Sequence, residues 1–370
     1  MGLREPLKIC LVGPLAPPSG GMATQLAQVS ALLANDGHSV EIVANNAPYR
    51  PAWLESVRGA RAAFRLFPYV LRLWTAAGRN DVVHVLANSG WAWWLFATPA
   101  VLIARARGTP VVVNYHGGNA QAFFSRAWRG GLRILEAADA LVVPSAFLED
   151  VFADFGIEAE IIPNVIDTRR FTPAPEARET GRFHIVVTRN LDPVYDIQTV
   201  LRAFAIVAPS LPDPHLSVTG SGPERQRLET LCRELGILDR VTFAGRIDNT
   251  AMHRLYQSAD LMVNPSLVDN QPVSILEAFA CGVPVVSTNV GGVPLVAEHG
   301  RSALLVPPGD PGRMADAIAR VAGDAQLAEN MVRAGLEESR RYDWSRVGPA
   351  WVSCYRRLID RMGLRPEGRA

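Results

Sequence analysis

The chain has 370 residues, 48% apolar and 20% charged, an ordinary globular composition at a length that exceeds what one core usually holds. A formal charge of +1 leaves no overall field that would select nucleic acid as a partner. Cysteines at 10, 232, 281 and 354 show no C-x-x-C spacing, so no disulfide framework is expected, and the expected setting is a reduced cytoplasm.

Residues 1–6 are charged and lead straight into an apolar run at 9–12, which reads as a first strand rather than as a signal peptide. A helix over 21–35 follows, then strands near 40–43, 82–85, 111–114, 140–143 and 160–162. The longest uncharged apolar run, 90–104, is shorter than a membrane span and predicts a helix buried in the domain. Val/Ile-rich runs alternating with helical stretches predict a parallel sheet covered on both faces. Pro163 to Asp167 closes this part and the polar stretch 172–182 reads as a linker. The pattern restarts with strands near 184–188, 216–219, 241–243, 261–264, 283–287 and 304–306. The expected architecture is α/β, with two Rossmann-like domains, 1–175 and 183–343, facing a central cleft. Residues 344–370 read as a helix and tail that either packs locally or crosses back to the first domain.

The most informative segment is 269–286. Pro272 fixes a helix start and Gly282-Val283-Pro284 stops that helix before a new strand. Asp269 then lies in the loop facing the free N–H groups of the first turn, where Val273 and Ser274 sit, and Glu277 lies about two turns beyond Asp269. A loop carboxylate, a positive helix end and a helical carboxylate suit a ligand with both hydroxyls and phosphates, such as a sugar nucleotide.

Other loops fit the same ligand. Gly20-Gly21 after the first strand permits unusual backbone angles and close ligand approach, although neither G-x-G-x-x-G nor a Walker sequence is present. His116 in Tyr115-His116-Gly117-Gly118 can donate to a sugar hydroxyl or phosphate in surroundings that the glycines keep open; capping of the next helix is its structural alternative. Arg189 follows the first strand of the second domain, where a guanidinium can grip a diphosphate; the alternative is an ion pair with an Asp such as Asp192. Gly222 in Gly220-Ser221-Gly222-Pro223 marks another close approach, and Arg246 lies in a loop that can present groups to a base. No pair of histidines has metal-site spacing, so no metal is expected.

Together these motifs resemble the retaining glycosyltransferases of family 4, the glycosyl transferases group 1, across nearly all of residues 8–355. The strongest match is the acidic motif with seven intervening residues, Asp269 to Glu277. Gly20-Gly21, His116-Gly117, Pro163-Asn164 through Phe171, Gly220 to Pro223 and Tyr256 to Asp260 also match. The resemblance implies the GT-B fold, with acceptor bound by the first domain and nucleotide sugar by the second. It implies that Glu277 binds ribose hydroxyls, Asp269 meets the sugar near its anomeric centre, Arg189 holds the diphosphate and His116 contacts the donor sugar, all without a metal. Two positions depart from the family. Asp269 stands where Glu is usual, and Val194 stands where a Lys usually follows the Arg by about five residues, which makes Arg246 or another arginine from the cleft a candidate replacement. A noncatalytic sugar-nucleotide-binding or assembly protein of the same fold is the competing reading.

Between Glu55 and Asp81 no acidic residue occurs, while Arg58, Arg61, Arg65, Arg72 and Arg79 recur along one side of a helix that Pro68 is expected to kink or split. Such a face fits an anionic membrane surface and a lipid-linked or glycan acceptor; a solvated helix face is the alternative. No sequence feature sets an oligomeric state.

Overall fold

The computed structural model describes residues 5–16, 20–47, 61–175 and 181–363; Arg58 of the arginine row lies outside them. The chain divides into two compact units, Met1–Val165 with Trp344–Ala370, and Ile166–Asp343. The division falls at Val165, ahead of the polar stretch read as the linker.

In the first unit, strands β1 (Lys8–Gly13), β2 (Ser39–Ala44), β3 (Val82–Ala87), β4 (Val111–Tyr115), β5 (Ala140–Val143) and β6 (Glu160–Ile161) form a parallel sheet in the order β2-β1-β3-β4-β5-β6. Every residue of β3 and β4 is buried, because helices cover both faces of the sheet centre. One face packs Tyr69, Leu73, Trp93 and Phe124. The other packs Val29 and Leu32 of the helix Gly21–Asn35 together with Trp351, Tyr355 and Leu358 of the C-terminal helix. Helix 344–361 therefore belongs to the first unit, a point the sequence left open. Its anchor is His84 in the middle of β3, which stacks on Trp351 with centroids 4.3 Å apart and meets the Tyr355 hydroxyl through Nδ1 at 2.7 Å.

Two local expectations change. The run 90–104 forms a π-helical segment, Trp93–Ala97, and a helix, Thr98–Ala106. It buries Trp93, Ala100, Val101 and Ala104 but leaves Trp91 79% and Leu102 50% exposed, because a helix lying on a sheet buries only one side. Nor does Pro68 split its helix: Arg61–Arg79 is continuous, with Pro68 on the exposed side. The proline only removes the bond its missing N–H would have made one turn back.

The second unit repeats the design. Strands β7 (Phe183–Thr188), β8 (Pro214–Thr219), β9 (Val241–Gly245), β10 (Leu261–Asn264), β11 (Val285–Thr288) and β12 (Ala303–Val306) pair in parallel in the order β12-β11-β10-β7-β8-β9. The helix Val273–Ala280 sits between β10 and β11, with Pro272 as its N-cap and Gly282 at φ 66° leading out of it. Its apolar side fills the core with Ile275, Leu276 and Phe279.

Candidate active site

In the second unit, β7 and β10 are hydrogen-bonded neighbours, so the residues that leave their carboxyl ends come together. Arg189, just beyond β7, donates through Nε to Asn264 Oδ1 at 2.8 Å and forms an ion pair with Asp269. Its guanidinium also lies over the Tyr195 ring, 5.2 Å from the centroid. The partner is thus Asp269 rather than Asp192. Each side chain of the pair is only 12% exposed, so the two groups assigned separately to diphosphate and sugar already neutralise one another in a largely desolvated place.

The loop holding Asp269 is fixed from two sides. Its carbonyl accepts from the Gly292 N–H at 3.1 Å, and Gly291, at φ 50°, lies so close that a Cβ there would collide with the same carbonyl. Glycine is needed at 291 for both reasons. Val194, at the position of the family's Lys, accepts from the Leu267 N–H at 2.9 Å and so braces the same loop without supplying a cation. Lys8, in β1 of the first unit, is the only lysine in the sequence, so no lysine of the second unit takes that place.

Glu277 is 6% exposed and accepts from the Tyr256 hydroxyl at 3.2 Å; that hydroxyl also meets Thr188 Oγ1 at 2.9 Å. Burial pushes the Glu277 carboxyl up to about 7, against the opposing pull of the Tyr256 hydrogen bond and of Arg170 and Arg189. In the unfolded chain it titrates near 4.5, so between 4.5 and 7 the folded protein binds more protons than the unfolded one. This group's contribution to stability is therefore intact below 4.5 and is lost as pH rises through 7. Glu277→Gln is expected to melt higher than the parent at pH 8, by an amount equivalent to at most about 3 kcal/mol, with the gain vanishing near pH 4. Thermal unfolding at the two pH values checks it.

The remaining second-unit candidates gather around the same strand ends. A Cβ on Gly220 or Gly222 would run into the carbonyls of Arg189 and Leu191 respectively, so both glycines are required by close packing of the β8 turn on the β7 turn. Arg246 is exposed and donates to Ser221 Oγ at 2.6 Å, which ties the β9 loop to the same turn. Val273 and Ser274 form the first turn of the helix carrying Glu277, and Ser274 Oγ is enclosed without a hydrogen-bond partner.

The first-unit candidates differ more from expectation. Gly20 is extended at φ −171° and Gly21 begins the helix Gly21–Asn35, so neither uses the left-handed region. What they provide is room, since a Cβ at either would touch no described atom within 4 Å. Gly117, by contrast, does not keep His116 open: a Cβ there would press on Asn88 Oδ1 at 2.5 Å and the Tyr115 hydroxyl at 2.7 Å. His116 is half-buried, with Nε2 enclosed and without a partner, and burial pushes its pKa down to about 4. The imidazole is consequently neutral at pH 7, a hydrogen-bonding group and not a charge. It does not cap the following helix, whose N-cap is Asn119.

Sequence reasoning missed Asn264, Tyr195, Thr188 and Arg170. Asn264 and Thr188 carried a usable signal, a polar residue closing an apolar strand at its carboxyl end. Arg170 and Tyr195 carried none: Arg170 acts on Glu277 from more than a hundred residues away, and Tyr195, though near Arg189 in sequence, faces it only because of how the loop after β7 turns. Among the described residues no group of three His, Cys, Asp or Glu side chains gathers as a metal site.

Two parallel six-stranded α/β units, the second with an Arg–Asp pair and a buried Glu at its strand ends, define a GT-B glycosyltransferase, and solved structures agree on the fold. Anabaena HepE, solved in complex with UDP and glucose, superposes with a TM-score of 0.74 over 94% of this chain and 99% of that one at 20% identity. The family profile described as "Glycosyltransferase Family 4" matches residues 19–170, and that of "Glycosyl transferases group 1" matches 168–338. Among curated relatives, the D-inositol 3-phosphate glycosyltransferase of Paenarthrobacter aurescens is 25% identical over 78% of this chain and 76% of its own length. The phosphatidyl-myo-inositol mannosyltransferase of Mycobacterium leprae is 24% identical over 93% and 96%. The chain belongs to the family 4 glycosyltransferases and is an enzyme of that class.

Proposed function

We propose that the enzyme transfers a sugar from a nucleoside diphosphate sugar to an acceptor hydroxyl with retention of anomeric configuration. The observation that carries this reading is the placement of Arg189, Asp269 and Glu277 at adjoining strand ends around one helix N-terminus. In this reading the ribose hydroxyls donate to Glu277, and the diphosphate lies against Arg189 and the first turn at Val273 and Ser274, whose N–H groups and helix dipole favour negative charge. The open turn at Gly20-Gly21 leaves room for the donor, the Gly220–Pro223 turn shapes its side of the second unit, and Arg246, tied to that turn through Ser221, serves as the second cation. Charge is then met by arginine and the helix end rather than by a metal.

When the anomeric C–O bond breaks, its electron pair goes to the departing diphosphate, and Arg189 stabilises the growing charge. The acceptor oxygen attacks from the same face and its proton passes to the leaving phosphate oxygen. Asp269 is freed from Arg189 as the phosphate takes the guanidinium, and turns to the sugar hydroxyls. His116 keeps the role that the resemblance gives it, a hydrogen bond to the donor sugar, which a neutral imidazole can make. A lipid-linked or cell-envelope glycan acceptor, reached from the surface of an anionic membrane, completes the proposal; the name of one relative, phosphatidyl-myo-inositol mannosyltransferase, supports a lipid acceptor, while D-inositol 3-phosphate in the name of the other is a soluble compound.

The test is donor turnover with a panel of UDP-, GDP- and ADP-sugars, with and without glycolipid acceptors, followed by NMR of the product's anomeric configuration. An inverted product would sink the retaining assignment. A second expectation follows from Glu277. Only its ionised form accepts from two ribose hydroxyls, so with a pKa of about 7 the affinity for nucleotide sugar should rise roughly tenfold from pH 6 to pH 8. Calorimetry with the intact nucleotide sugar, whose phosphates do not titrate in this range, measures it; a flat profile would remove Glu277 from ribose recognition.

A further inference from the structure

We propose that the first unit carries a membrane-docking face in which aromatic side chains enter the interface of a bilayer rich in anionic phospholipid, with arginines beside them. The face consists of the exposed stripe of helix Arg61–Arg79 and the neighbouring Trp91, Trp94 and Leu102. For its part in the reaction the inference rests on the lipid-linked acceptor reading; for the binding itself it rests on this surface alone.

The helix has two apolar sides. Tyr69, Leu73, Ala76 and Ala77 are buried against the sheet. Phe64, Phe67, Leu71 and Trp74 are 49%, 68%, 52% and 45% exposed. Their spacing of three, four and three residues confines these four to an arc of about 80°, opposite Leu73. A helix that needed only to cover its sheet would carry polar groups there.

The bare stripe continues onto the next elements. The Tyr69 hydroxyl donates to the Phe96 carbonyl at 2.7 Å, and the Arg107 guanidinium lies 5.1 Å from the Trp74 ring centroid. These contacts bring the segment containing Trp91, Trp94 and Leu102 alongside the helix. Among the described residues, the Phe and Trp side chains standing exposed are Phe64, Phe67, Trp74, Trp91 and Trp94, all of them here. Aromatic clustering of this kind on one unit is unusual for a surface meeting only water.

The charge pattern selects the partner. Arg79 at the end of the helix is already paired with Glu41 of β2; between Glu55 and Glu136 the sequence holds ten arginines and one carboxylate, Asp81. That carboxylate is engaged, accepting from the Lys8 N–H at 2.7 Å. Arg65 and Arg72 flank the aromatic stripe on one side of the helix. A second copy of this face would bring arginine rows against each other with no carboxylate on the helix to pair them, whereas anionic headgroups satisfy both the charge and the interfacial aromatics. Among the described residues no helix is long and apolar enough to cross a membrane, so the contact is peripheral.

The experiment is cosedimentation of the full chain with phosphatidylcholine vesicles and with vesicles containing one quarter phosphatidylglycerol. The parent should partition onto the anionic vesicles and little onto the neutral ones. The double variant Phe67→Ser with Trp91→Ser should lose roughly tenfold or more of that partition at low salt. The variant Arg65→Gln with Arg72→Gln should lose less at low salt, and its residual binding should resist added salt better than the parent's. Both pairs should keep the parent's melting temperature and nucleotide-sugar affinity. Four results overturn the inference: a parent that ignores both vesicle types, equal binding to both, an aromatic variant that sediments like the parent, or a parent dimer that the aromatic variant dissociates without any vesicle binding. Release of nucleoside diphosphate in vesicle-free solution reports on the transferase reading separately, so failure of one is distinguishable from failure of the other.

Discussion

Arg189→Ala is expected to lower turnover at saturating donor by roughly a hundredfold or more, with a much smaller change in donor affinity. The guanidinium is held by Asn264 and stacked on Tyr195, so it is positioned before any ligand arrives. A preorganised charge of that kind needs no rearrangement as the glycosidic bond breaks, and its stabilising effect grows with the charge on the diphosphate. The ground-state contribution is smaller because the incoming diphosphate must displace Asp269, which already pairs with the same group. Single-turnover rates alongside equilibrium donor binding separate the two effects. Parallel losses in rate and affinity would make Arg189 a binding residue, and an unchanged rate would make it a structural one. Arg189→Lys is a useful companion, since it keeps the charge but cannot bridge Asn264 and a phosphate with one planar fork.

Glu277→Ala is expected to weaken nucleotide-sugar binding by about 1–3 kcal/mol, roughly 5- to 150-fold, through loss of the acceptor for two ribose hydroxyls. The isosteric Glu277→Gln should lose affinity as well but gain folding stability at pH 8, because it keeps the side-chain volume and no longer carries a buried carboxylate that resists ionisation. Opposite signs for binding and stability are the diagnostic result. Calorimetry with nucleotide sugar, set beside thermal unfolding, reads both. Unchanged affinity would sink the ribose assignment whatever the melting temperature did. Tyr256 enters the same prediction indirectly: it is buried, donates to Glu277 and sets which way the carboxylate points.

Much of this protein was legible in the order of its residues. Short Val/Ile runs separated by helical stretches fix parallel strands, because only a sheet covered on both faces tolerates apolar residues at every position. All twelve strands of the two sheets lie where those runs predict them, with ends displaced by a residue or two. Pro272 and Gly282 bounded the helix of Glu277 for equally local reasons, a fixed φ at one end and a left-handed φ at the other. The acidic motif pointed to the family from sequence alone.

Tertiary structure decided whatever depends on which strands are neighbours and which side of a helix is covered. The pairing of Arg189 with Asp269 follows from β7 lying beside β10, an order that skips two intervening strands and leaves no trace in local sequence. The lowered pKa of His116 and the raised pKa of Glu277 are consequences of burial, which residue type does not report. The run at 90–104 illustrates the limit most plainly. Its composition predicts burial, yet Trp91 and Leu102 stand in solvent, because apolarity states what a side chain would gain from leaving water and only the packed fold determines whether anything is there to receive it.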